Sequence, residues 1–110
     1  MSVHQQLKQA LRQLESSMET IGLWQMASPP ASAFESVEPF CVDTMDIPQW
    51  LRFVFIARLD ALAEARGPMP ANCDVAPAVE AYLVNAQLSA EGKRQLCQAV
   101  AHIDRLVTDN

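Results

Sequence analysis

Residues 46–66, DIPQWLRFVFIARLDALAEAR, decide how this chain folds. Asp46 can accept a backbone N–H at a helix start, and Gln49, three residues on, can reach back to the Asp46 amide. Pro48 falls in the first turn, where its missing N–H is harmless. The helix is expected to run to about Arg66, where Gly67-Pro68-Met69-Pro70 ends it. On a wheel at about 100° per residue, Gln49, Arg52, Asp60 and Glu64 form a narrow polar strip. Trp50, Leu51, Val54, Phe55, Ala57, Leu59, Ala61 and Leu62 fill nearly all the rest. A helix apolar around most of its girth is a buried one. This segment is therefore expected to be the central helix, wrapped by the others.

Two features sit badly on that wheel. Arg58 falls opposite the polar strip, in the middle of the apolar arc. A guanidinium there needs an acid, because removing one member of a buried pair costs roughly 3–5 kcal/mol. Asp43, just upstream, is the expected partner, with Glu35 and Glu38 as alternatives; a bidentate pair would clamp the preceding loop to the helix. The competing reading makes Arg58 an anion-binding residue in a pocket under that loop with Trp50, while Trp50 and Phe40 are candidates for either pocket or core. Phe53 and Ile56 fall next to the polar strip, so either the loop covers them or they form an exposed contact patch.

Outward from this segment the chain reads as further helices. Ser2 and Gln5 make a capping box, and Leu7, Leu11, Leu14, Met18 and Ile21 recur at steps of four and three, with Gly22 as a stop. Residues 25–44, QMASPPASAFESVEPFCVDT, contain Pro29, Pro30 and Pro39 and form a long loop. A loop of that length in a compact domain is ordered or functional, and Phe34, Val37 and Phe40, spaced by three, are candidates to pin it. Asp74 to Pro77 opens a third helix carrying Val75, Val79, Leu83 and Ala86. Ser89 caps a fourth with Leu96, Val100, Ile103, Leu106 and Val107, while Gly92 weakens its first turn. The expected fold is all-α, one domain over residues 1–110, with helices near 2–23, 47–66, 75–87 and 90–108.

Composition limits the function. The 110 residues are half apolar and 19% charged, which suits a globular chain with its own core. The net charge of −5 and the absence of a basic stripe set against direct nucleic-acid binding and against an anionic membrane surface. The N-terminal stretch lacks an apolar signal region, and no apolar run spans a bilayer, so a cytoplasmic location is expected. Cys41, Cys73 and Cys97 are odd in number and unclustered, as reduced thiols are.

No catalytic constellation stands out. Cys41 beside Asp43 invites a nucleophile reading, but such a thiol needs a base, and neither His4 nor His102 is spaced to serve it. Three cysteines and a histidine lack the paired spacing of a zinc site, and the acids lack that of a calcium loop. No catalytic residue, metal or cofactor is therefore expected, and the chain reads as a non-enzyme.

Pro39-Phe40, Asp43-Thr44-Met45, Trp50-Leu51, Val54-Phe55-Ile56, Arg58 and Pro68-Met69-Pro70 together resemble the YqcC-like family of small bacterial proteins, whose function is unknown. The resemblance implies an all-α bundle of about four helices in a bacterial cytoplasm. It also points to a partner, because the family is often encoded beside a tRNA pseudouridine synthase and some members carry that enzyme's name. This chain lacks the length and strands of such an enzyme. Where the family motif tends to read Ile-Pro-Arg, this chain has Ile56-Ala57-Arg58, and alanine is expected to leave the helix straighter. The function expected is a non-catalytic protein-interaction module, in one form a homodimer, using Phe53, Ile56 and the loop face. The alternatives are a small-molecule or anion binder and an accessory factor to the synthase.

Overall fold

The computed structural model describes residues 2–110. It is all-helical, with no strand among the described residues. Helix α1 is Val3–Thr20. Helix α2 joins an α segment, Ile47–Trp50, a π segment, Leu51–Ile56, and a second α segment, Ala57–Ala65. Helix α3 is Ala76–Leu83 and α4 is Ala90–Thr108. The strap between α1 and α2 carries two short 3-10 turns, Ala31–Glu35 and Pro39–Cys41.

Capping agrees closely with the sequence. Ser2 Oγ accepts from the Gln5 amide while Gln5 reaches back to the Ser2 amide. Asp46 and Gln49 repeat that exchange at the start of α2, and Ser89 Oγ accepts from the Gly92 amide to open α4. Helix α1 ends in a left-handed turn at Gly22, φ 78°, with the Leu23 N–H on the Met18 carbonyl and the Gly22 N–H on that of Glu19. Helix α2 ends the same way with one difference. Arg66, not Gly67, takes the left-handed position at φ 53°, and the Gly67 N–H closes back on the Leu62 carbonyl.

The core lies between α1 and α4. Leu7, Leu11, Leu14 and Met18 of the first pack with Leu96, Val100, Ile103 and Val107 of the last, all fully or almost fully buried. Each such side chain contributes about 1.5–3 kcal/mol by leaving water. Gly92 belongs to this packing: a Cβ there would lie 2.8 Å from Ile21 Cγ2, so the glycine lets the first turn of α4 close on the end of α1. Helix α3 adds Val79 and Leu83. It is shorter than its expected span of 75–87.

Helix α2 touches α1, α3 and the strap. Its buried positions include Ile47, Leu51, Phe55, Leu59 and Ala63, each four apart. In an unbroken α-helix a step of four drifts by about 40°, so this row would spiral off the core. A π turn holds more residues and winds the row back. A fixed-angle wheel therefore misplaces several residues beyond Leu51, although Val54, Phe55 and Leu59 stay buried as it placed them. Arg58, expected at the centre of the apolar arc, is exposed, as are Ala57 and Ala61, while Ile56 is buried in the core. Alanine at position 57 does not make this stretch regular, since the π segment ends immediately before it.

The strap is ordered by its own small cluster. Ala33 and Met45 bury against Val54 of α2, and Cys41 and Trp50 pack beside them. The Thr44 hydroxyl donates to the Ala33 carbonyl at 2.8 Å. Of the expected pins only Phe40 serves, its ring edge-on to Trp50 at 4.9 Å. Phe34 and Val37 point out, and Val37 is 95% exposed.

Candidate functional site: the strap, its arginine and the cavity beside α2

An arginine does hold the strap, but it is Arg52. Its guanidinium donates to the Trp24 carbonyl and lies 4.3 Å from the centroid of the Trp24 ring and 5.1 Å from that of Phe53. The chain leaving α1 is thus fixed to α2 by a charge-assisted hydrogen bond and by cation–π contact. Arg58 makes no hydrogen bond or ion pair among the described residues. Asp43 is exposed and accepts from the Ser36 hydroxyl instead. The Arg58–Asp43 clamp is therefore corrected, and the π segment supplies the physical reason: Arg58 faces outward and has no desolvation to repay.

The interface expectation changes for the same reason. Ile56 lies in the core, and half-buried Phe53 is covered by the Arg52 guanidinium. Neither forms a free patch.

Arg58 shares a cavity with Trp50 and Phe40, although that cavity does not lie under the strap. These three line a cavity of about 580 Å³, together with Val54, Phe55, Leu59 and Leu62 of α2 and residues 70 and 72–75 of the connection to α3. Trp50 stacks on Phe55 at 5.4 Å and an interplanar angle of 23°. The cavity sits between α2 and the 70–75 segment, with the strap contributing Phe40 at its edge. Phe40 and Cys41 both have left-handed backbone, at φ 57° and 49°. For consecutive non-glycine residues this is a strained arrangement, roughly 1–3 kcal/mol each.

Behind this wall lies a polar contact that the sequence did not reveal. Asp104 of α4, 8% exposed, accepts from the Val75 and Ala76 amides and from the Cys73 thiol. Asp74, the expected opener of α3, is exposed, and the cap comes from the last helix instead. The available signal was an acid adjoining Ile103 on an apolar stripe, which must find donors. The Cys73 thiol is pushed up to about 12, by burial first, then by its hydrogen bond to Asp104 and by the charges of Asp104 and Asp74. Burial, then the charge of Glu80, pushes the Cys97 thiol up as well.

Nothing here assembles a nucleophile. Cys41 packs in the strap cluster, and His4 donates to the Gly67 carbonyl at 2.7 Å. No group of three His, Cys, Asp or Glu side chains is placed to hold a metal among the described residues. No helix among them is long and apolar enough to cross a membrane.

Comparison with known proteins places the chain. The DUF446 family model, described as tRNA pseudouridine synthase C, matches residues 6–106. An uncharacterised protein of Haemophilus influenzae is 36% identical over 105 residues, covering 96% of this chain and 95% of that one. The uncharacterised protein YqcC of Escherichia coli is 32% identical, over 76% of each chain. A tRNA pseudouridine synthase C of Pectobacterium carotovorum is 37% identical over 70 residues, 64% of this chain but 19% of that protein. The solution NMR structure of E. coli YqcC superposes with a TM-score of 0.83 at 27% identity, covering 99% of this chain and 91% of that one. The family model over residues 6–106, two bacterial relatives above 30% identity and the superposed helical fold agree: the chain belongs to the YqcC-like family.

Proposed function

We propose that this protein is a non-catalytic interaction module whose docking face is the strap. The observation that carries this is the distribution of exposed large apolar side chains. Among the described residues these are Phe34, Val37, Val42 and Val84, and the first three lie on the strap. Exposed acids, Glu35, Glu38 and Asp43, alternate with them. Exposed apolar side chains interspersed with acids suit a partner that offers apolar and basic side chains together. A second copy docking by the same face would set acid against acid, which disfavours a symmetric homodimer there.

A tRNA pseudouridine synthase is the partner class proposed first. The family description carries that name, and in the Pectobacterium protein so named the similar segment takes up only 19% of the chain. A protein that acts on tRNA needs cationic surface, the complement of a chain with net charge −5.

The test is calorimetric titration of this protein with a purified tRNA pseudouridine synthase from the same organism. Binding that weakens at least about tenfold in the Val37→Ser, Val42→Ser double variant, and falls with added salt, supports the reading. Binding unaffected by the double variant removes the strap as docking face. Absence of binding at micromolar concentration removes the synthase as partner.

A further inference from the structure

Three unusual features meet at one place. The π segment of α2 sets Val54 and Phe55 beside Trp50. The left-handed pair Phe40–Cys41 holds the Phe40 ring at the edge of the same wall. The unpaired guanidinium of Arg58 stands on the rim. π segments and strained non-glycine backbone both concentrate at binding sites, because each is retained against a conformational cost. Phe40 and Cys41 are the central residues of a turn closed by the Val42 N–H on the Pro39 carbonyl. Glycine or asparagine would make that turn with less strain, but neither would bring an aromatic ring to the cavity.

We infer that this cavity is a binding site for a small apolar carboxylate, its body against the Trp50–Phe55 wall and its carboxylate on Arg58. Several observations select that class. The volume, about 580 Å³, is that of small-molecule sites, and the walls are chiefly aromatic and aliphatic. An arginine free of acids offers a planar pair of donors that fits a carboxylate. The acid on the lining is Asp74, which makes no ion pair with Arg58 and sets against ligands bearing several negative charges. Asp104, behind the wall, already has its oxygens occupied by backbone and thiol donors. The docking residues Phe34, Val37 and Val42 do not line the cavity, which the strap reaches only through Phe40, so either proposal can fail alone.

The experiment uses octanoate, octanol and octylamine as probes of one chain length, titrated into the isotopically labelled protein while backbone amide shifts are followed. Octanoate is expected to move the amides around Trp50, Phe55, Arg58 and Asn72, and to bind more tightly than octanol, with octylamine weakest. Arg58→Gln, whose melting point checks that the fold is kept, is expected to weaken octanoate about tenfold or more and leave octanol unchanged. Equal binding of octanoate and octanol overturns the inference. So do shifts confined to a second groove, between α3 and α4 and lined by Leu83, Val84, Lys93 and Cys97, an Arg58→Gln variant that binds octanoate unchanged, or no shift at millimolar octanoate.

Discussion

The Asp104 carboxylate takes the N–H of Ala76 at 2.8 Å, so a side chain of the last helix caps the third. It also takes the Val75 N–H at 2.9 Å and the Cys73 thiol at 3.1 Å. The start of α3 is therefore defined by a contact spanning 28 residues rather than by its own sequence.

Removing that carboxylate strands several donors. Asp104→Ala is expected to destabilise the fold by about 3 kcal/mol, and Asp104→Asn by about 2, since the amide retains one acceptor but sets an NH2 against an N–H. Urea unfolding midpoints measure both. Values for both within about 0.5 kcal/mol of the parent would show that the cap is unimportant.

The Cys73 thiol, pushed up to about 12, stays protonated in the folded protein at pH 8. Only the thiolate is alkylated, so Cys73 is expected to react with iodoacetamide at least about a hundredfold more slowly in the native protein than in urea. The same shift makes alkali destabilising. Above the ordinary thiol range the unfolded chain loses this proton while the folded one keeps it, so Cys73 makes stability fall as pH rises from about 9 towards 12. Unfolding curves of the parent and Cys73→Ala across that range test it; the decline should be shallower in the variant.

Gly92→Ala sets two effects against each other. Helix propensity favours alanine by about 1 kcal/mol, but its Cβ would meet Ile21 Cγ2 at 2.8 Å. Ile21 is β-branched and stiff at χ1, so the clash is expected to win, with net destabilisation of about 1–2 kcal/mol. A rise in the thermal midpoint would contradict it.

Arg66→Gly should do the reverse. Arg66 is exposed, and its left-handed backbone, φ 53° and ψ 40°, closes α2. Glycine adopts that conformation without strain, and stabilisation of about 0.5–1 kcal/mol is expected by urea unfolding.

Much of this was legible locally. The Ser2–Gln5, Asp46–Gln49 and Ser89 caps and the stripes of α1 and α4 come from spacings of three and four, where neighbouring residues decide the outcome. The phase of α2 was not legible in that way. A wheel assumes one angle throughout, and the π segment at Leu51–Ile56 breaks the assumption, so Arg58, expected in the apolar arc, is exposed and Ile56, expected beside the polar strip, lies in the core. The role of Asp104 depends on α3 packing against α4, which spacing along the chain does not encode. In the candidate site, Arg58, Trp50 and Phe40 line one cavity, whose other wall, residues 70 and 72–75, was not legible from spacing, and Asp43 lies elsewhere.

The exchange of roles between two arginines gives the most direct test. Arg52 pins the Trp24 carbonyl and ring, whereas Arg58 touches no acid. Hydrogen exchange of amides in residues 24–45 should be compared in Arg52→Met and Arg58→Met, alongside their melting points. Arg52→Met is expected to speed strap exchange and to cost about 1–3 kcal/mol, while Arg58→Met leaves both within about 0.5 kcal/mol of the parent. The opposite order, with the strap loosened by Arg58→Met and untouched by Arg52→Met, would contradict the phase of α2 and the free guanidinium at the cavity.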